Sequence, residues 1–379
     1  MSTPPRILSI SFSPLVRDAR VLRQIDVLAW HGEVTTLGYG PAPASSTVHL
    51  QIPTGLASLP RTPTGVARLA TRRLRSAETA APALRKAREL AGSQRFDLVV
   101  ANDARALPLA HYLAHGAPVW ADMHEWAAQE FSQILAWRLL VAPLMEHLCE
   151  VYLPRSAAVT TVCDTLAERY TKDYDVDCEV VRNAGPWVDL QPTPVVPGTL
   201  RMVHSGGAIR GRHLEVMIDA TLALEHATLD LFLVPAEDGG RYLGELQARA
   251  RSIDRVRFRD PVAPGDLPRA LNEFDVGVSC LPPVNINAEF ALPNKFFDFV
   301  QARLAVAVGP SIEQARLVSE YGLGVVSTGF EVDKLVDALR TLDPPALEAA
   351  KSASHRAARA LSSDRDVAVS DAIVRRLLG

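Results

Sequence analysis

Short apolar runs rich in β-branched residues alternate with longer amphipathic stretches along almost the whole chain. This alternation is typical of α/β proteins, in which helices cover both faces of a parallel sheet. Such runs predict six strands in the first half, at residues 7–11, 33–38, 96–101, 118–122, 157–162 and 179–182. Six more are predicted in the second half, at residues 200–206, 229–234, 255–259, 275–280, 304–309 and 324–328.

A proline-rich stretch, GPWVDLQPTPVVPG at residues 185–198, separates the two series of strands. Because proline interrupts both helices and central strands, this stretch is interpreted as an interdomain linker. We predict two doubly wound, Rossmann-like domains facing a central cleft. Their predicted bounds are 1–185 and 200–360, with a linker at 186–199 and a C-terminal helix at 361–379 that returns towards the first domain.

Composition limits the classes of function. The chain has 379 residues, 48% hydrophobic and 22% charged, with a net charge of −3, so nothing suggests a nucleic-acid binder. Its four cysteines show no C-x-x-C spacing, which predicts neither a zinc site nor a disulfide framework and fits a reducing cytoplasm.

The ends and the most apolar segment give no membrane or export signal. The first residues, MSTPPRILSISFSPLVRD, lack the apolar stretch of a signal peptide and lead into a predicted strand. The run ILAWRLLVAPLM at 134–145 is shorter than the roughly 20 residues of a membrane span, and predicts a buried or amphipathic helix.

Ligands of doubly wound sheets bind beyond the carboxyl ends of the strands, so the loops that follow strands are searched first. The loop after the first strand, within SISFSPLVRDARVLRQ, contains no glycine and therefore no G-x-G-x-x-G. Its absence argues against a nicotinamide or flavin enzyme.

A glycine pair followed by arginines indicates a phosphate site in the second half. Gly206 and Gly207 end a predicted strand, and a helix is expected to follow and offer free N–H groups. Arg210 and Arg212 supply cationic donors for phosphate oxygens. The alternative is a plain turn with solvated arginines.

The segment NAEFALPNKFFDF at 287–299 contains a charged pair among aromatic residues. A helix beginning near Pro293 would carry Lys295 and Asp298 on one face. The carboxylate suits a ribose diol and the ammonium suits a diphosphate. The alternative is a simple i,i+3 salt bridge.

Four motifs in order give a specific resemblance. ALPNKFFDFVQARLAVAVGP and HSGGAIRGRHLE are similar to the LPNK and GG…RGLE segments of retaining GT-B glycosyltransferases of family four in the sequence classification (glycosyl transferases group 1). RDARVLRQIDVLAWHGEVTTLGY and FDLVVANDARALPLA…APVWADMHEW resemble the opening segments of the same proteins. The similarity extends over nearly the whole chain.

The resemblance implies a hexosyltransferase with a nucleotide-diphosphate sugar donor, held mainly by the second domain, and no metal. It implies that His124, Arg212 and Lys295 are catalytic. Donor-binding residues carried over are Gly206, Gly207, Arg210, Arg212, Val262, Glu289, Phe290, Ala291, Leu292, Asn294, Lys295 and Asp298.

The chain departs from the family pattern at four positions within the matching motifs. Asp298 stands where the family usually has Glu, and Phe290 stands at a family glutamate with Glu289 one position away. His213 and Arg303 replace usual glycines.

Polar residues at strand ends in the first half are candidates for acceptor binding. His124 and Glu125 follow the strand at 118–122, and the resemblance implies that His124 contacts the donor sugar. The acceptor candidates are Arg17, Arg20, Asn102, Asp103 and Glu125. Asp18 is predicted only to cap the first helix.

Residues 58–96 carry nine basic and two acidic side chains. Such a segment can attract anionic lipid or a polyanionic acceptor, which would add peripheral membrane contact to a protein expected in the cytoplasm. The alternative is a solvated face.

Three functions stay open. The first is sugar transfer to an unidentified acceptor, which could be a glycan, a lipid-linked molecule or a natural product. The second is non-catalytic binding of a nucleotide-sugar or a partner enzyme, and the third is nucleotide-sugar epimerisation.

Overall fold

The computed structural model describes residues 3–236 and 238–379. Up to Val180 the strands are β1 (Arg6–Pro14), β2 (Glu33–Tyr39), β3 (Val48–Ile52), β4 (Leu98–Asn102), β5 (Val119–Met123), β6 (Ala158–Thr161) and β7 (Cys178–Val180). The helices of this part are α1 (Ala19–Ala29), α2 (Pro63–Ala70), α3 (Leu74–Ala77), α4 (Pro82–Ala91), α5 (Leu107–Ala114), α6 (Ala142–Tyr152) and α7 (Asp164–Tyr174).

From Leu200 the strands are β8 (Leu200–Ala208), β9 (Ala227–Pro235), β10 (Val256–Arg259), β11 (Val276–Ser279), β12 (Ala305–Val308) and β13 (Gly324–Val326). The helices are α8 (Glu215–Leu222), α9 (Arg241–Ala250), α10 (Leu267–Leu271), α11 (Ile286–Glu289), α12 (Asn294–Gln301), α13 (Ile312–Tyr321), α14 (Val332–Arg340), α15 (Pro344–Ala357) and α16 (Ser363–Leu378).

The chain divides into two compact units. The first contains the residues up to Asn183, Asn285–Asn287 and Asp366–Gly379, and the second contains Ala184–Val284 and Ala288–Arg365. No helix in the described part of the chain is long and apolar enough to cross a membrane.

The first unit contains a seven-stranded parallel sheet in the order β3-β2-β1-β4-β5-β6-β7. Ile10 of β1 is paired with Leu37 on one side and with Ala101 on the other. The strand order reverses at β1 and β4, and ligands of such sheets bind at the carboxyl ends there. Helix α16 contributes Ile373 and Val374 to the core of this unit.

The start of helix α1 is explained by its N-terminal cap, and its buried face is explained by the spacing of its apolar residues. The Asp18 carboxylate accepts a hydrogen bond from the Val21 N–H at 3.2 Å, which confirms the predicted cap. Val21, Ile25 and Leu28, at i, i+4 and i+7, are fully buried against the sheet.

The second unit contains a six-stranded parallel sheet in the order β10-β9-β8-β11-β12-β13, with its reversal at β8 and β11. Val203 of β8 is paired with Asp230 of β9 and Gly277 of β11. The α/β fold with two doubly wound sheets is therefore confirmed.

Three details of the sequence prediction are wrong. Strand β3 is missed because its VHLQI sequence carries two polar residues on a half-exposed edge strand. Strand β8 continues to Ala208, so the glycine pair lies within the strand. The apolar run at 134–145 is not one regular helix, because a π-helical turn at Trp137–Val141 precedes α6.

Helix α12 packs on the second sheet through one close contact. A Cβ added to Gly277 of β11 would lie 2.2 Å from Cγ of Phe299, so only glycine leaves room for this ring. Phe296, Phe297, Phe299 and Val300 are all fully buried. The contact fixes the height of α12 above the strands, and with it the position of Lys295.

We therefore expect Gly277→Ala to lower the free energy of unfolding by about 1–3 kcal/mol, the usual cost of overpacking a dense core. Urea denaturation followed by circular dichroism measures the change. Gly244→Ala is the matched control, since this exposed glycine inside α9 has no atom within 4 Å of an added Cβ. The control should be neutral or stabilising by up to about 1 kcal/mol. Equal stability of the two variants would contradict the packing argument.

Candidate functional site

The carboxyl end of β8 holds two cationic side chains close to its glycines. An added Cβ on Gly206 would lie 2.8 Å from Nζ of Lys295, and one on Gly207 would lie 3.8 Å from Nη1 of Arg212. Two neighbouring basic side chains beside a backbone without side chains can bind an anion, and this place is called the anion site below.

Lys295 is held by a buried histidine that the sequence analysis missed. His204 Nδ1 lies 2.6 Å from the Val278 carbonyl oxygen, which can only accept, so Nδ1 carries the proton. Nε2 is then the acceptor for the Lys295 ammonium at 3.1 Å. Burial, and then Lys295, lower the pKa of His204 well below its ordinary value, so the ring stays neutral.

The buried amine of Lys295 is poised to gain charge from a ligand. The side chain is 7% exposed, and burial, with Arg212 beside it, lowers the pKa of Lys295 to about 7. Asp298 opposes this shift. Burial also lowers the pKa of Arg212, but a guanidinium stays charged in proteins. An anion bound here would restore the full charge of Lys295.

The glycine pair does not lead directly into a helix, so that expectation is corrected. A 3₁₀ turn at Arg210–Arg212 follows β8, and α8 begins only at Glu215. The Leu214 N–H at its start already donates to the Tyr242 hydroxyl at 2.9 Å. The anion site therefore depends on Lys295, Arg212 and the strand end, and not on a helix N-terminus.

Two arginines predicted together are separated by the structure. Arg210 is exposed, forms an ion pair with Glu245 at 2.5 Å and lies over the Tyr242 ring. Arg212 is half-buried beside the glycines. Only Arg212 therefore joins Lys295 at the anion site.

The remaining predicted donor residues lie in two segments of the second unit. Val262 is half-buried in the loop after β10, and Asp298 is half-buried on α12 with Oδ1 3.9 Å from a Cβ built on Gly185. From the last residue of α11 to the first of α12, Glu289, Phe290 and Ala291 are half-buried, Leu292 is buried and Asn294 is exposed. The Ala291 carbonyl accepts from Gln314 at 3.3 Å, which fixes this segment.

In the first unit a buried carboxylate, Asp122 at the end of β5, organises the strand ends. Asp122 is 1% exposed, and its carboxylate accepts hydrogen bonds from Nε and Nη2 of Arg20 at 3.0 and 2.5 Å. Gln24 and Thr160 donate to the same carboxylate at 3.0 and 2.6 Å. Burial opposes its ionisation, but the charge of Arg20 outweighs burial, so the pKa of Asp122 is well below its usual range.

This arrangement changes the role of Arg20. The side chain is 5% exposed, and its third donor group binds the Val181 carbonyl at 2.5 Å. Arg20 therefore faces the interior of the unit, where it positions Asp122. Arg17 is exposed on the 3₁₀ turn after β1. Asn102 is buried and donates to the Ile10 carbonyl at 3.2 Å, which links β4 to β1.

His124 lies between two carboxylates. Its Nε2 is 3.4 Å from Asp122 and its Nδ1 is 3.5 Å from Asp103, whose Oδ1 accepts from the His124 N–H at 3.1 Å. Burial disfavours its charged form, but Asp103 and then Asp122 outweigh burial and raise the pKa of His124 to about 9. The imidazole is cationic at neutral pH.

Glu125, next to His124, has the opposite character. Burial, followed by the charges of Glu130 and Asp103, raises the pKa of Glu125 to about 8, so the carboxyl is protonated at neutral pH. Its Oε2 lies 2.9 Å from Nδ2 of Asn287, which belongs to the same unit. A protonated carboxyl beside an imidazolium can donate a hydrogen bond to a ligand oxygen.

Two site residues escaped sequence reasoning for a physical reason. Asp122 lies one residue before the end of β5 and His204 lies in the middle of β8. The signal available at each was a single polar residue within a mostly apolar strand. No group of three or more His, Cys, Asp or Glu side chains arranged for a metal occurs in the described part of the chain. Independence from metal stays a prediction.

Both sheets, their strand order and their α/β layering define the GT-B fold. The chain has no match among protein-family models and none among curated protein sequences. Its similarity to solved structures extends over the whole chain. HepE from Anabaena, in complex with UDP-glucose, has a TM-score of 0.66 at 14% identity, with 98% of this chain and 100% of that chain covered.

Two further GT-B structures extend this comparison. Sucrose-phosphate synthase from Thermosynechococcus elongatus has a TM-score of 0.69 at 15% identity, with 98% of this chain and 99% of that chain covered. WaaG, a glycosyltransferase involved in lipopolysaccharide biosynthesis, has a TM-score of 0.59 at 13% identity, with 96% and 99% covered. Similarity at this level of identity establishes the fold.

The glycines of the anion site provide a matched test. Gly206 has φ +135° and no room for a Cβ beside Lys295, whereas a Cβ on Gly207 would meet its nearest neighbour at an ordinary 3.5 Å. We expect Gly206→Ala to lower the free energy of unfolding by about 1–3 kcal/mol through backbone strain and displacement of Lys295. Gly207→Ala should stay within about 0.5 kcal/mol of the wild type. Differential scanning fluorimetry and urea denaturation measure both, and a tolerated Gly206→Ala would contradict the close approach of Lys295.

Proposed function

We propose that the protein is a glycosyltransferase that moves a hexose-type sugar from a nucleotide-diphosphate sugar to an acceptor hydroxyl with retention of anomeric configuration. The observation that carries this proposal is the cation pair of the second unit. Lys295 and Arg212 flank the bare backbone of Gly206 and Gly207, and burial lowers the pKa of both side chains. The GT-B neighbour HepE was crystallised with UDP-glucose, which supports a nucleotide-sugar donor.

The cation pair would bind the donor diphosphate and stabilise the charge that develops on it as the glycosidic bond breaks. This is electrostatic stabilisation by groups already oriented before the reaction. Asp298 would accept hydrogen bonds from the ribose hydroxyls, and the segment from Glu289 to Leu292 would contact the sugar. A leaving diphosphate oxygen would take the proton of the acceptor hydroxyl, as a front-face retaining mechanism requires.

His124 would act on the donor sugar as a cation. Its pKa of about 9 keeps the imidazole protonated at neutral pH, so it would place a positive charge near the sugar but could not serve as a general base there. Glu125, protonated under the same conditions, would donate to the acceptor or the sugar. Asp103 would hold His124 in place.

The proposal also includes independence from metal and the location of the enzyme in the cell. The reaction would need no metal, because two fixed cations face the diphosphate. The basic side chains of residues 58–96 favour peripheral contact with an anionic membrane surface and a cytoplasmic location.

Two other functions use the same anion site. A non-catalytic GT-B protein would bind the nucleotide-sugar without turnover, and an epimerase would return a different nucleotide-sugar. A transferase should hydrolyse the donor slowly, whereas a non-catalytic protein should leave it intact. Chromatography of the products would reveal the different nucleotide-sugar that an epimerase forms.

The decisive test is donor binding by variants of the cation pair. Purified protein is titrated calorimetrically with uridine-, guanosine-, adenosine- and thymidine-diphosphate sugars. Lys295→Ala and Arg212→Ala should each weaken binding of the preferred donor by about 10- to 100-fold, because a charge-assisted hydrogen bond contributes about 1.5–3 kcal/mol. Donor hydrolysis should fall in the same variants.

Arg249→Ala is the matched control, since Arg249 pairs with Asp219 on the surface of the same unit and the substitution removes the same charge. It should bind the donor as the wild type does. Arg210→Ala measures the contribution of the second arginine predicted from sequence and should change affinity less than threefold. Unchanged affinity in both Lys295→Ala and Arg212→Ala would overturn the proposed function.

Donor affinity should also depend on pH through Lys295. Because the pKa of the free amine is about 7, binding of an anion above pH 7 requires uptake of a proton. Below pH 7 the amine is already charged and affinity should be constant; above pH 7 affinity should fall, by up to tenfold per pH unit. Nucleotide-sugars contain no phosphomonoester, so their own charge is constant in this range.

Calorimetry in two buffers of different ionisation enthalpy counts the protons taken up at pH 8. We expect uptake approaching one proton in the wild type and in Arg249→Ala, and none in Lys295→Ala. Proton uptake that persists in Lys295→Ala would assign the pH dependence to another group.

A further inference from the structure

The first unit contains a cavity of about 690 Å³ that the anion site does not explain. Its walls come from the carboxyl ends of β1 and β2, residues 54–61, helix α2 and residues 131–141. Fourteen of the nineteen lining residues are apolar. Pockets that enclose drug-sized ligands have volumes of about 300–1,000 Å³ and mostly apolar walls with a few polar groups. The size and the lining therefore fit a small hydrophobic molecule.

The polar groups of the cavity lie together. Arg105 donates to Glu130 at 2.6 Å and lies 3.5 Å from the Ser58 hydroxyl, and the Tyr39 hydroxyl donates to the Leu56 carbonyl at 2.6 Å. Glu130 offsets part of the charge of Arg105, although burial raises the pKa of Glu130 to about 7, and Arg61 is the other charged residue of the lining. The pair of Arg105 and Glu130 therefore offers both hydrogen-bond donors and acceptors. It suits a neutral hydroxyl better than an anion.

Apolar side chains of the cavity are left in contact with water. Val66, Phe131 and Ile134 line it and are 40%, 40% and 50% exposed. A contiguous exposed apolar surface is typical of a binding site. The Trp137 ring lies in the same wall, held by its Nε1–H, which donates to the Ala128 carbonyl at 2.9 Å. Trp137 also begins the π-helical turn, a distortion that often accompanies functional sites.

The polar end of the cavity adjoins the cluster around His124. Arg105 lies in the 3₁₀ turn Ala104–Ala106, which directly follows Asp103, and Asp103 contacts His124. The charges of Asp103 and His124 both act on Glu130. A hydroxyl bound at this end would therefore lie next to the residues that the proposed function assigns to the sugar.

We propose that this cavity binds the apolar body of the sugar acceptor, a neutral hydrophobic molecule whose hydroxyl is directed towards Arg105 and Asp103. The role as acceptor rests on the proposed function, whereas binding of the molecule does not. The same chemistry is found in a ring-containing natural-product alcohol and in a single-chain lipid alcohol, and the experiment distinguishes these two sources.

The test uses the full chain and three probes: 1-naphthol, 1-decanol and 1-naphthyl phosphate. Binding is measured by calorimetry and by the change in tryptophan fluorescence, since Trp137 lies in the wall. Ala136→Phe fills the cavity from an exposed position and should weaken binding of the neutral probe at least tenfold. Ala67→Phe, exposed on α2 and outside the lining, is the matched control and should bind as the wild type does.

Each outcome decides the inference. Tighter binding of 1-naphthol identifies a ring-containing alcohol, and tighter binding of 1-decanol identifies a lipid alcohol. Preference for 1-naphthyl phosphate, binding that Ala136→Phe leaves unchanged, or no binding of any probe would overturn it. Leu140→Asn, which makes the wall polar, gives an independent variant if Ala136→Phe fails to fold.

Donor titration of the same proteins separates this inference from the proposed function. Ala136→Phe should retain the donor affinity of the wild type. Donor binding with no binding of a neutral alcohol would overturn the acceptor inference alone. Alcohol binding without any donor binding would overturn the proposed function and leave the cavity as a hydrophobic ligand site.

Discussion

The position of α12 on the second sheet is the constraint from which the anion site follows. The Phe299 ring occupies the space that a side chain on Gly277 would fill, so the helix lies unusually close to β11. At that height Lys295 reaches the carboxyl end of β8, where Gly206 again has no side chain in its way. Two glycines on neighbouring strands thus set the place of one buried amine. The chemistry of the site depends on this backbone geometry as much as on the charged residues themselves.

The charged clusters around Asp122 in the first unit and around Lys295 in the second handle buried charge in opposite ways. In the first, Asp122 and Arg20 neutralise each other by a bidentate pair, and His124 gains its positive charge from two carboxylates. In the second, burial and Arg212 lower the pKa of Lys295, and its hydrogen-bond partner is the neutral His204. A compensated charge stabilises a fold only modestly, and an uncompensated one is costly to bury. In the proposed function a bound diphosphate would offset the cost of burying Lys295, so the second arrangement suits an anionic ligand.

The sequence predicts the sheets well because each central strand is buried on both faces. Such a strand is a short apolar run, which can be recognised without knowing which strands are its neighbours. Lys295 and Arg212 are likewise predicted from motifs that lie within a few residues. The partners of these side chains are not predicted, since His204 is 91 residues from Lys295 and Asp122 is 102 residues from Arg20. Those contacts depend on which strands are neighbours, and strand order is not contained in local periodicity. For the same reason Arg20 is predicted as a ligand contact, although the structure has it paired inside the unit.

Two departures from the family pattern retain the backbone that glycine would adopt. His213 and Arg303 replace usual glycines, and both have left-handed conformations, with φ of +49° and +63°. The chain therefore turns as it would with glycine, at a cost of about 1–2 kcal/mol at each position. At Arg303 the side chain offsets this cost: its guanidinium donates to the carbonyls of Gln301 and Val188, at 2.6 Å each, and joins the segment after residue 184 to the end of α12. The replacement of these glycines therefore does not imply that the site is lost. His213 and Arg303 keep the left-handed backbone that follows Arg212 and that ends α12. The departures that bear on the proposed activity are Phe290, which stands at a family glutamate, and Asp298. If Asp298 binds the ribose as proposed, its shorter side chain would bring the ribose one methylene closer to α12 than a glutamate does.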